Sequence, residues 1–313
     1  MGKLNLRETD RLEVTVLVDN YTDVLLLEST EVLKRPMLNP LKPAILAEHG
    51  LSLLLNVYAG SEQHAVIMDC GATPIAQLHN ADTLGTDLSK VEAVFLSHGH
   101  FDHFTGLVAL LKKAKKGMPL ILHSDAFLER RVNIKDLGVI IAFPSLDELA
   151  LKKTGVKIQR RKEASTFGSG LILATGEVER VTDFEKGLPW VEAKVNGDWV
   201  TDPFRDDQGL VVKVKGKGLV IIGGCSHAGI INTVKYAQKL TQTDRVHAVL
   251  GGFHLTGPMV EPVIGPTIDE IKKINPDFIV PMHCTGWKAI NQFAAEMPEK
   301  FLLNTVGTTY VFQ

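Results

Sequence analysis

The stretch Leu96–Gly106, LSHGHFDHFTG, places three histidines and an aspartate within six positions. It follows the apolar run VEAVFL, which predicts a buried strand, and it precedes TGLVALLKKAKKG, which predicts a helix with lysines in its last turn. Chance is a poor explanation for the spacing H-x-H-x-D-H in a chain of eleven histidines. The stretch therefore indicates one half of a metal site, whose other half has to come from elsewhere in the chain.

Length and composition bound the class of protein. With 313 residues, 45% of them hydrophobic and 22% charged, the chain is typical of soluble globular proteins with a sizeable core. A net charge of −2 gives no electrostatic reason to expect nucleic acid or a membrane surface as a partner. The first residues, MGKLNLRETDRLEV, lack the apolar segment of a secretory signal. Three cysteines, an odd and sparse set, favour a reducing compartment, so we expect a cytoplasmic protein.

Short apolar runs bounded by glycine and turn residues predict strands near both ends of the chain, and amphipathic segments between them predict helices. Two strand-rich halves with helices outside them indicate two packed sheets covered by helices. The predicted fold class is therefore α/β, a four-layer αβ/βα sandwich. We expect residues 1–313 to form a single domain.

Residues 176–209 differ in character from the rest. The segment is polar, rich in turn residues and too long for an ordinary connection, so we predict a lid or substrate loop. Its aromatic side chains Trp190, Trp199 and Phe204 are candidates for stacking on an aromatic substrate. The alternative is that they only pin the loop to the body of the protein.

Polar side chains follow three further predicted strands at the point where each strand ends. Cys225 and His227 follow LVIIGG, His254 follows HAVLGG, and His283 and Cys284 follow DFIVPM. Because ligands in α/β sheets bind at the carboxyl ends of strands, we expect these side chains to converge with the first histidine loop. Imidazole, carboxylate and thiolate suit Zn²⁺ or another first-row metal, and two adjacent metals can activate a water for hydrolysis.

Each of these later residues also has an ordinary structural interpretation. His227 precedes a predicted helix and could belong to its N-terminal cap, and His283 could be a core histidine satisfied by backbone groups. Cys225 and Cys284 could be small buried hydrophobic residues.

The motifs together resemble the metallo-β-lactamase-fold superfamily, of which H-x-H-x-D-H after an apolar strand is the signature. The quoted motifs MDCG, GGCSHAGIINTV, GGFHL and PMHCTG are similar to one branch in particular. That branch contains the archaeal 7,8-dihydropterin-6-methyl-4-(β-D-ribofuranosyl)-aminobenzene-5′-phosphate synthases and related metal-dependent hydrolases. The resemblance extends over nearly the whole chain and is weakest over residues 176–209.

The resemblance implies a ligand set. In the superfamily the positions of His98 and His100 bind a first metal, and those of Asp102 and His103, completed by His283, bind a second. The superfamily normally adds a third-motif histidine and a bridging aspartate, and this chain departs from both, with Glu177 and Cys225 at these places. We expect His227 to complete the first metal site, while Cys225 and Glu177 stay as alternatives.

Two residues are candidates for catalysis. Asp102 lies within the metal motif, and His254 occupies the place of a catalytic histidine in phosphodiesterase-like members of the superfamily. By that analogy His254 acts as a general acid or contacts a phosphate. The alternative is that His254 only orients a metal ligand.

The leading hypothesis is a metal-dependent hydrolase in which a metal-activated water attacks an ester, and a phosphoester is the expected substrate. The alternative is a transferase that forms a C–C bond between a dihydropterin diphosphate and a ribofuranosylaminobenzene phosphate. A non-catalytic ligand-binding module is a third hypothesis. The expected cofactors are two divalent ions, Zn²⁺ first and Mn²⁺, Fe²⁺ or Mg²⁺ as alternatives, and the expected partner is a phosphorylated or pterin-like small molecule. The sequence leaves the oligomeric state open.

Overall fold

A computed structural model describes residues 4–37 and 39–313. The strands are β1 (Glu8–Thr9), β2 (Arg11–Val18), β3 (Leu33–Lys34), β4 (Ser52–Ala59), β5 (Glu62–Met68), β6 (Ala93–Phe95), β7 (Pro119–Leu122), β8 (Arg130–Ile134), β9 (Val139–Ala142), β10 (Lys157–Arg160), β11 (Ser165–Phe167), β12 (Ile172–Ala174), β13 (Val191–Val195), β14 (Asp198–Thr201), β15 (Leu210–Val214), β16 (Gly218–Gly223), β17 (Val246–Gly252), β18 (Phe278–Met282) and β19 (Thr309–Phe312). The helices are α1 (Pro74–Thr83), α2 (Phe101–Phe104), α3 (Leu107–Lys113), α4 (Glu148–Lys153), α5 (Ile230–Thr241), α6 (Ile264–Ile274) and α7 (Trp287–Glu296).

Two large sheets face each other across the main core. The first has the order β10-β7-β6-β5-β4-β2-β19-β3, and the second has the order β11-β12-β15-β16-β17-β18 with β1 added beside β15. Helices α1 and α3 cover the outer face of the first sheet, and α5, α6 and α7 cover that of the second. The predicted four-layer αβ/βα sandwich is therefore confirmed.

Strand β4 shows why the sequence builds this arrangement. Leu53, Leu55 and Val57 point into the core between the sheets, whereas Leu54 packs in the core beneath the first helical layer. Successive side chains of a strand point to opposite faces, so a strand buried on both faces needs an almost continuous apolar sequence. Each fully buried Leu or Val contributes roughly 1.5–3 kcal/mol to folding.

The two halves of the chain exchange strands at their ends. Strand β1, near the N-terminus, pairs in parallel with β15 of the second sheet, and the last strand, β19, pairs with β2 of the first sheet. These exchanges tie both sheets together, which the division of the sequence into two strand-rich halves does not predict.

A third, smaller sheet has the order β14-β13-β8-β9. Its hairpin β13–β14 lies inside residues 176–209, the segment predicted to be a lid or substrate loop. The segment is therefore not all loop, since part of it is sheet paired with β8. Short strands with polar, turn-rich flanks carry too weak an alternation to stand out from a loop.

The carboxyl ends of β6, β16, β17 and β18 lie along one side of the sandwich, where loops from the two sheets meet closely. A Cβ added at Gly224, which follows β16 of the second sheet, would lie 2.2 Å from Oγ of Ser97, which follows β6 of the first. Within the first half, a Cβ added at Gly99 would lie 2.1 Å from the carbonyl oxygen of Ala126. Only glycine permits such approaches. Among the residues that the structure describes, no helix is long and apolar enough to cross a membrane.

Candidate metal centre

The first donor set consists of His98, His100 and His227. His227 Nε2 lies 3.2 Å from His98 Nε2 and 3.1 Å from His100 Nδ1, and all three side chains are buried. Burial is the main cause that lowers the pKa of each imidazole well below its ordinary value, and neighbouring histidines add to it. The three rings are therefore neutral at physiological pH.

These neutral rings fit a shared cation. Each neutral imidazole carries one N–H, and His98 Nδ1, on the outer side of its ring, lies 3.0 Å from Ser97 Oγ. His227 Nδ1 and His100 Nε2 also face away from the set, and neither has a hydrogen-bond partner among the described residues. With the protons on these outer nitrogens, the lone pairs of His98 Nε2 and His100 Nδ1 both lie beside His227 Nε2. A divalent metal ion satisfies such an arrangement.

The second donor set consists of Asp102, His103 and His283. His283 Nε2 lies 3.1 Å from His103 Nε2 and 3.3 Å from Asp102 Oδ2. Burial alone would raise the pKa of Asp102, but His103 and His283 lower it far below its ordinary value. Asp102 therefore stays ionised and offers an anionic oxygen beside two imidazole nitrogens, a donor set that suits a divalent metal.

Cys225 lies between the two sets. Its Sγ is within 4.8 Å of the donor atoms of Asp102, His103 and His283, and also of those of His98 and His227. His103 Nε2 is 3.1 Å from Cys225 Sγ. The residue that stands in place of the superfamily's bridging aspartate is thus near enough to serve both sets.

Glu177, the third-motif alternative, lies outside both donor sets. Its carboxylate contacts His123 Nε2 at 3.2 Å and Lys162 Nζ at 3.5 Å. Of the alternatives left open by the sequence, the structure brings Cys225 and His227 to the centre and pairs Glu177 elsewhere.

Asp69 supports the centre from behind, a role that the sequence analysis did not assign. Its Oδ1 accepts a hydrogen bond from the Ser97 backbone N–H at 2.7 Å, and its Oδ2 accepts from Ser97 Oγ and His103 Nδ1, each at 2.7 Å. A carboxylate on Nδ1 fixes the proton there and leaves the Nε2 lone pair of His103 free for a metal. The sequence contained a signal for this role. In MDCG an acidic residue directly follows a predicted strand, just as polar residues follow the other strands that lead to the centre.

A buried ion network fixes the turn between His98 and His100. Arg130 donates to Asp202 Oδ2 at 2.6 Å and to Asp206 Oδ1 at 2.7 Å. Asp206 Oδ2 in turn accepts from the Gly99 backbone N–H at 2.8 Å. The guanidinium and both carboxylates are almost fully buried, so each depends on the others for charge compensation.

The loops of the other ligands are held by carboxylates as well. Asp19 Oδ1 accepts from the His283 backbone N–H at 2.9 Å, and Asp207 Oδ2 accepts from that of Ala228 at 2.8 Å. Burial raises the pKa of Asp207 to about 6. Neither residue stood out in the sequence, because an isolated aspartate in a loop has no characteristic spacing.

Backbone strain is concentrated at the centre. Five of the nine non-glycine residues with positive φ among the described residues are at or beside the donor sets: Asp69, Phe204, Ser226, His254 and His283. Each such conformation costs about 1–3 kcal/mol and persists only where the surroundings enforce it. This pattern is typical of functional sites.

A cavity of about 270 Å³ opens beside the first donor set. Among the residues that line it are Glu185, Lys186, Leu188, Trp190, His227 and His254. The His254 ring lies 4.5 Å from that of His227, and His254 Nδ1 is buried with no hydrogen-bond partner among the described residues. Both catalytic candidates therefore lie at the centre, Asp102 within the second donor set and His254 beside the first.

The three candidate aromatic residues lie in different places. Trp190 lines the cavity. Phe204 is only 2% exposed and stacks on the His227 ring at 4.5 Å, so the expectation that it stacks on substrate is corrected to a packing role. Trp199 does not line this cavity, and the Arg131 guanidinium packs over its ring at 4.1 Å, which favours the alternative that it pins the segment to the body of the protein.

Comparison with known proteins agrees with the fold. A family profile described as a beta-lactamase superfamily domain matches residues 64–159, which include the first histidine loop. Over 261 residues, 82% of this chain and 87% of the relative, the chain is 32% identical to 7,8-dihydropterin-6-methyl-4-(beta-D-ribofuranosyl)-aminobenzene-5′-phosphate synthase of Methanocaldococcus jannaschii. The chain belongs to the metallo-β-lactamase superfamily.

Two solved structures extend the comparison. Tm1679, described as a metal-dependent hydrolase of the beta-lactamase superfamily, has a TM-score of 0.72 and 25% identity, covering 96% of this chain and 98% of that one. The metallo-beta-lactamase fold protein YhfI from Bacillus subtilis has a TM-score of 0.51 and 14% identity, covering 96% of this chain and 99% of that one, and shows the fold alone.

Proposed function

We propose that this protein is a metal-dependent hydrolase that cleaves a phosphoester of a small molecule. The observation that carries the proposal is the pair of donor sets, which share Cys225 and adjoin a cavity that contains His254. The likeness to a protein described as a metal-dependent hydrolase supports it further.

The donors fit two divalent ions. His98 and His227 would hold one ion together with His100, whose Nδ1 lies 3.1 Å from His227 Nε2. Asp102, His103 and His283 would hold the other, and Cys225 lies within 4.8 Å of donor atoms of both sets. Imidazole and thiolate favour Zn²⁺, with Mn²⁺, Fe²⁺ or Mg²⁺ as alternatives. Bound ions of this kind supply Lewis acidity toward a phosphoryl oxygen and lower the pKa of water.

The remaining chemistry belongs to the chain's own side chains. Asp102 stays ionised, so that it can accept a hydrogen bond from the attacking water and orient it. Attack on phosphorus breaks the bond to the leaving oxygen, and His254 can donate a proton to that oxygen. Its position on the cavity wall supports this role.

The cavity favours a substrate with an apolar or aromatic body and an anionic group. Trp190, Leu188 and Phe253 provide apolar lining, and Lys186 and His254 provide groups that attract phosphate. Its volume of about 270 Å³ supports a small-molecule substrate rather than a macromolecule. A cytoplasmic location is proposed with it, supported by three cysteines that are all free.

A second candidate is the transfer reaction of the methanopterin-type synthase. The observation that favours it is the 32% identity to that enzyme over 82% of this chain. In this reaction the amine nitrogen of an aminobenzene riboside phosphate would attack the methylene carbon of a dihydropterin diphosphate. A C–N bond, rather than the C–C bond expected above, would form as the bond to pyrophosphate breaks and the nitrogen loses a proton. Both candidates place a phosphorylated substrate at the same centre of this chain.

The test uses protein reconstituted with Zn²⁺ or Mn²⁺ and assayed with bis(p-nitrophenyl) phosphate. We expect p-nitrophenol release that falls at least about a hundredfold in His98→Ala, because one metal ligand is lost. The matched control is His64→Ala, which removes a histidine paired with Glu92 away from the centre and should leave the rate unchanged. Equal rates in the wild type and His98→Ala would contradict the proposal. Pyrophosphate release only when both synthase substrates are present would favour the second candidate.

A further inference from the structure

We propose that Cys225 and Cys284 form a reversible, oxidant-sensitive thiol pair that closes to a disulfide. The two Sγ atoms and a ring nitrogen of His254 all lie within 4.8 Å of one another. The cysteines follow β16 and β18, two parallel strands separated by β17, whose ends converge at the metal centre.

The placement of Cys284 distinguishes it from an ordinary core cysteine. It is not part of either histidine-rich donor set, yet its thiol points to the Cys225 carbonyl oxygen at 3.6 Å. The Sγ lies so near the Gly252 backbone that a Cβ at this glycine would come within 2.6 Å of it. The fold therefore leaves a space at this glycine that the second sulfur fills, directly beside the first.

Cys70 provides the internal contrast. It is also free and fully buried, but it packs in the apolar core beneath the first helical layer and belongs to no cluster of potential ligands. The chain thus contains one adjacent pair of thiols and one isolated thiol.

A peroxide is the oxidant class that the reaction needs. One thiolate attacks a peroxide oxygen, which gives a sulfenic acid and one molecule of water or alcohol. The second sulfur then attacks the sulfenic sulfur, the S–S bond forms, and water leaves. Two thiols lose two hydrogen atoms in total, while the peroxide is reduced. In the disulfide the two sulfurs are about 2.05 Å apart, so they have to move toward each other. Side-chain rotation and small loop shifts would provide this movement.

Closure would regulate the centre. A disulfide sulfur is no longer a thiolate, so Cys225 would be withdrawn from both donor sets. This consequence rests on the proposed function, whereas formation of the disulfide does not. We expect metal affinity to fall by about tenfold or more in the oxidised protein and to recover on reduction.

The experiment treats the purified full chain with hydrogen peroxide near stoichiometric amounts, then denatures and alkylates it. We expect the number of alkylatable thiols to fall from three to one. The oxidised protein should weigh about 2 Da less than the reduced protein before alkylation. Dithiothreitol should reverse both changes. Trypsin should release peptide 218–235 linked to peptide 274–288. Cys284→Ser should abolish the link, and the matched variant Cys70→Ser should retain it.

Three thiols surviving in the wild type, a link that involves Cys70, or a gain of oxygen atoms on Cys225 without a link would each overturn the inference. Metal content measured on the same samples separates the two proposals. If the link forms while metal binding is unchanged, the ligand role of Cys225 fails. If metal binds and no link forms, the thiol pair fails and the proposed function stands.

Discussion

Replacement of Asp69 by asparagine tests whether the hydrogen bonds behind the donor sets determine metal affinity. Asp69 accepts three hydrogen bonds of 2.7 Å, one on Oδ1 from the Ser97 backbone and two on Oδ2 from Ser97 Oγ and His103 Nδ1. Asparagine keeps one acceptor oxygen, which would accept the hydrogen bond from the Ser97 backbone N–H. Its NH₂ group would then face His103 Nδ1.

The substitution should therefore reverse the tautomer of His103. With a donor facing Nδ1, the ring proton moves to Nε2, the nitrogen that faces Cys225 and His283. Loss of a supporting carboxylate of this kind lowers metal affinity roughly tenfold to a hundredfold, or about 1.4–2.8 kcal/mol. Losing a charge-assisted hydrogen bond should also lower the free energy of unfolding by about 1.5–3 kcal/mol.

Zn²⁺ affinity is measured by competition with a chromophoric chelator, and urea unfolding of the chelator-treated protein gives the stability. The control is Asp87→Asn, which changes an exposed carboxylate that accepts hydrogen bonds from Ser89 and lies 3.9 Å from Lys90 Nζ, outside the donor sets. Affinity of Asp69→Asn within twofold of the wild type would refute the tautomer argument. A loss of stability alone would show that Asp69 supports the fold without orienting His103.

Three further substitutions test other parts of the account. Arg130→Met should cost about 3–5 kcal/mol in urea unfolding, because Asp202 and Asp206 remain buried without compensation, and a loss below about 1 kcal/mol would contradict the network. Asp207 has its pKa raised by burial from 3.8 to about 6, so its stabilising contribution is present below about pH 4 and is lost as the pH rises through 6. Asp207→Asn should therefore raise the free energy of unfolding by up to about 3 kcal/mol at pH 8 and by almost nothing at pH 4, and a gain independent of pH would exclude this cause. Trp190→Ala should raise KM for bis(p-nitrophenyl) phosphate about three- to tenfold, whereas Trp199→Ala should leave it unchanged.

The four-layer fold could be predicted because buried strands and amphipathic helices leave strong periodic patterns. The convergence of the candidate donor residues could be predicted as well, since a histidine directly after a buried strand has few structural reasons to be there. His227 and Cys225 illustrate this, because GGCSH follows a strand that is buried along its whole length. Their division into two donor sets was implied by the family resemblance, and the structure adds the distances within each set.

The supporting residues could not be predicted, because their roles depend on contacts across long separations in the sequence. Asp206 meets Gly99 over 107 positions and Arg130 over 76, and nothing in the polar stretch FRDDQG marks which aspartate does so. Phe204 was misassigned for the same reason. An aromatic residue in a turn-rich segment looks like part of a lid, whereas a positive φ and a buried turn direct its ring onto His227.

Metal stoichiometry tests the central claim most directly. Wild-type protein, His227→Ala and His283→Ala are stripped with a chelator, reloaded with Zn²⁺, dialysed and measured by mass spectrometry of the metal, with circular dichroism to show that each is folded. The two donor sets predict two ions per chain in the wild type and one in each variant, since each substitution removes a ligand from a different set. A folded wild-type chain that binds no metal, or variants that still bind two ions, would contradict the account.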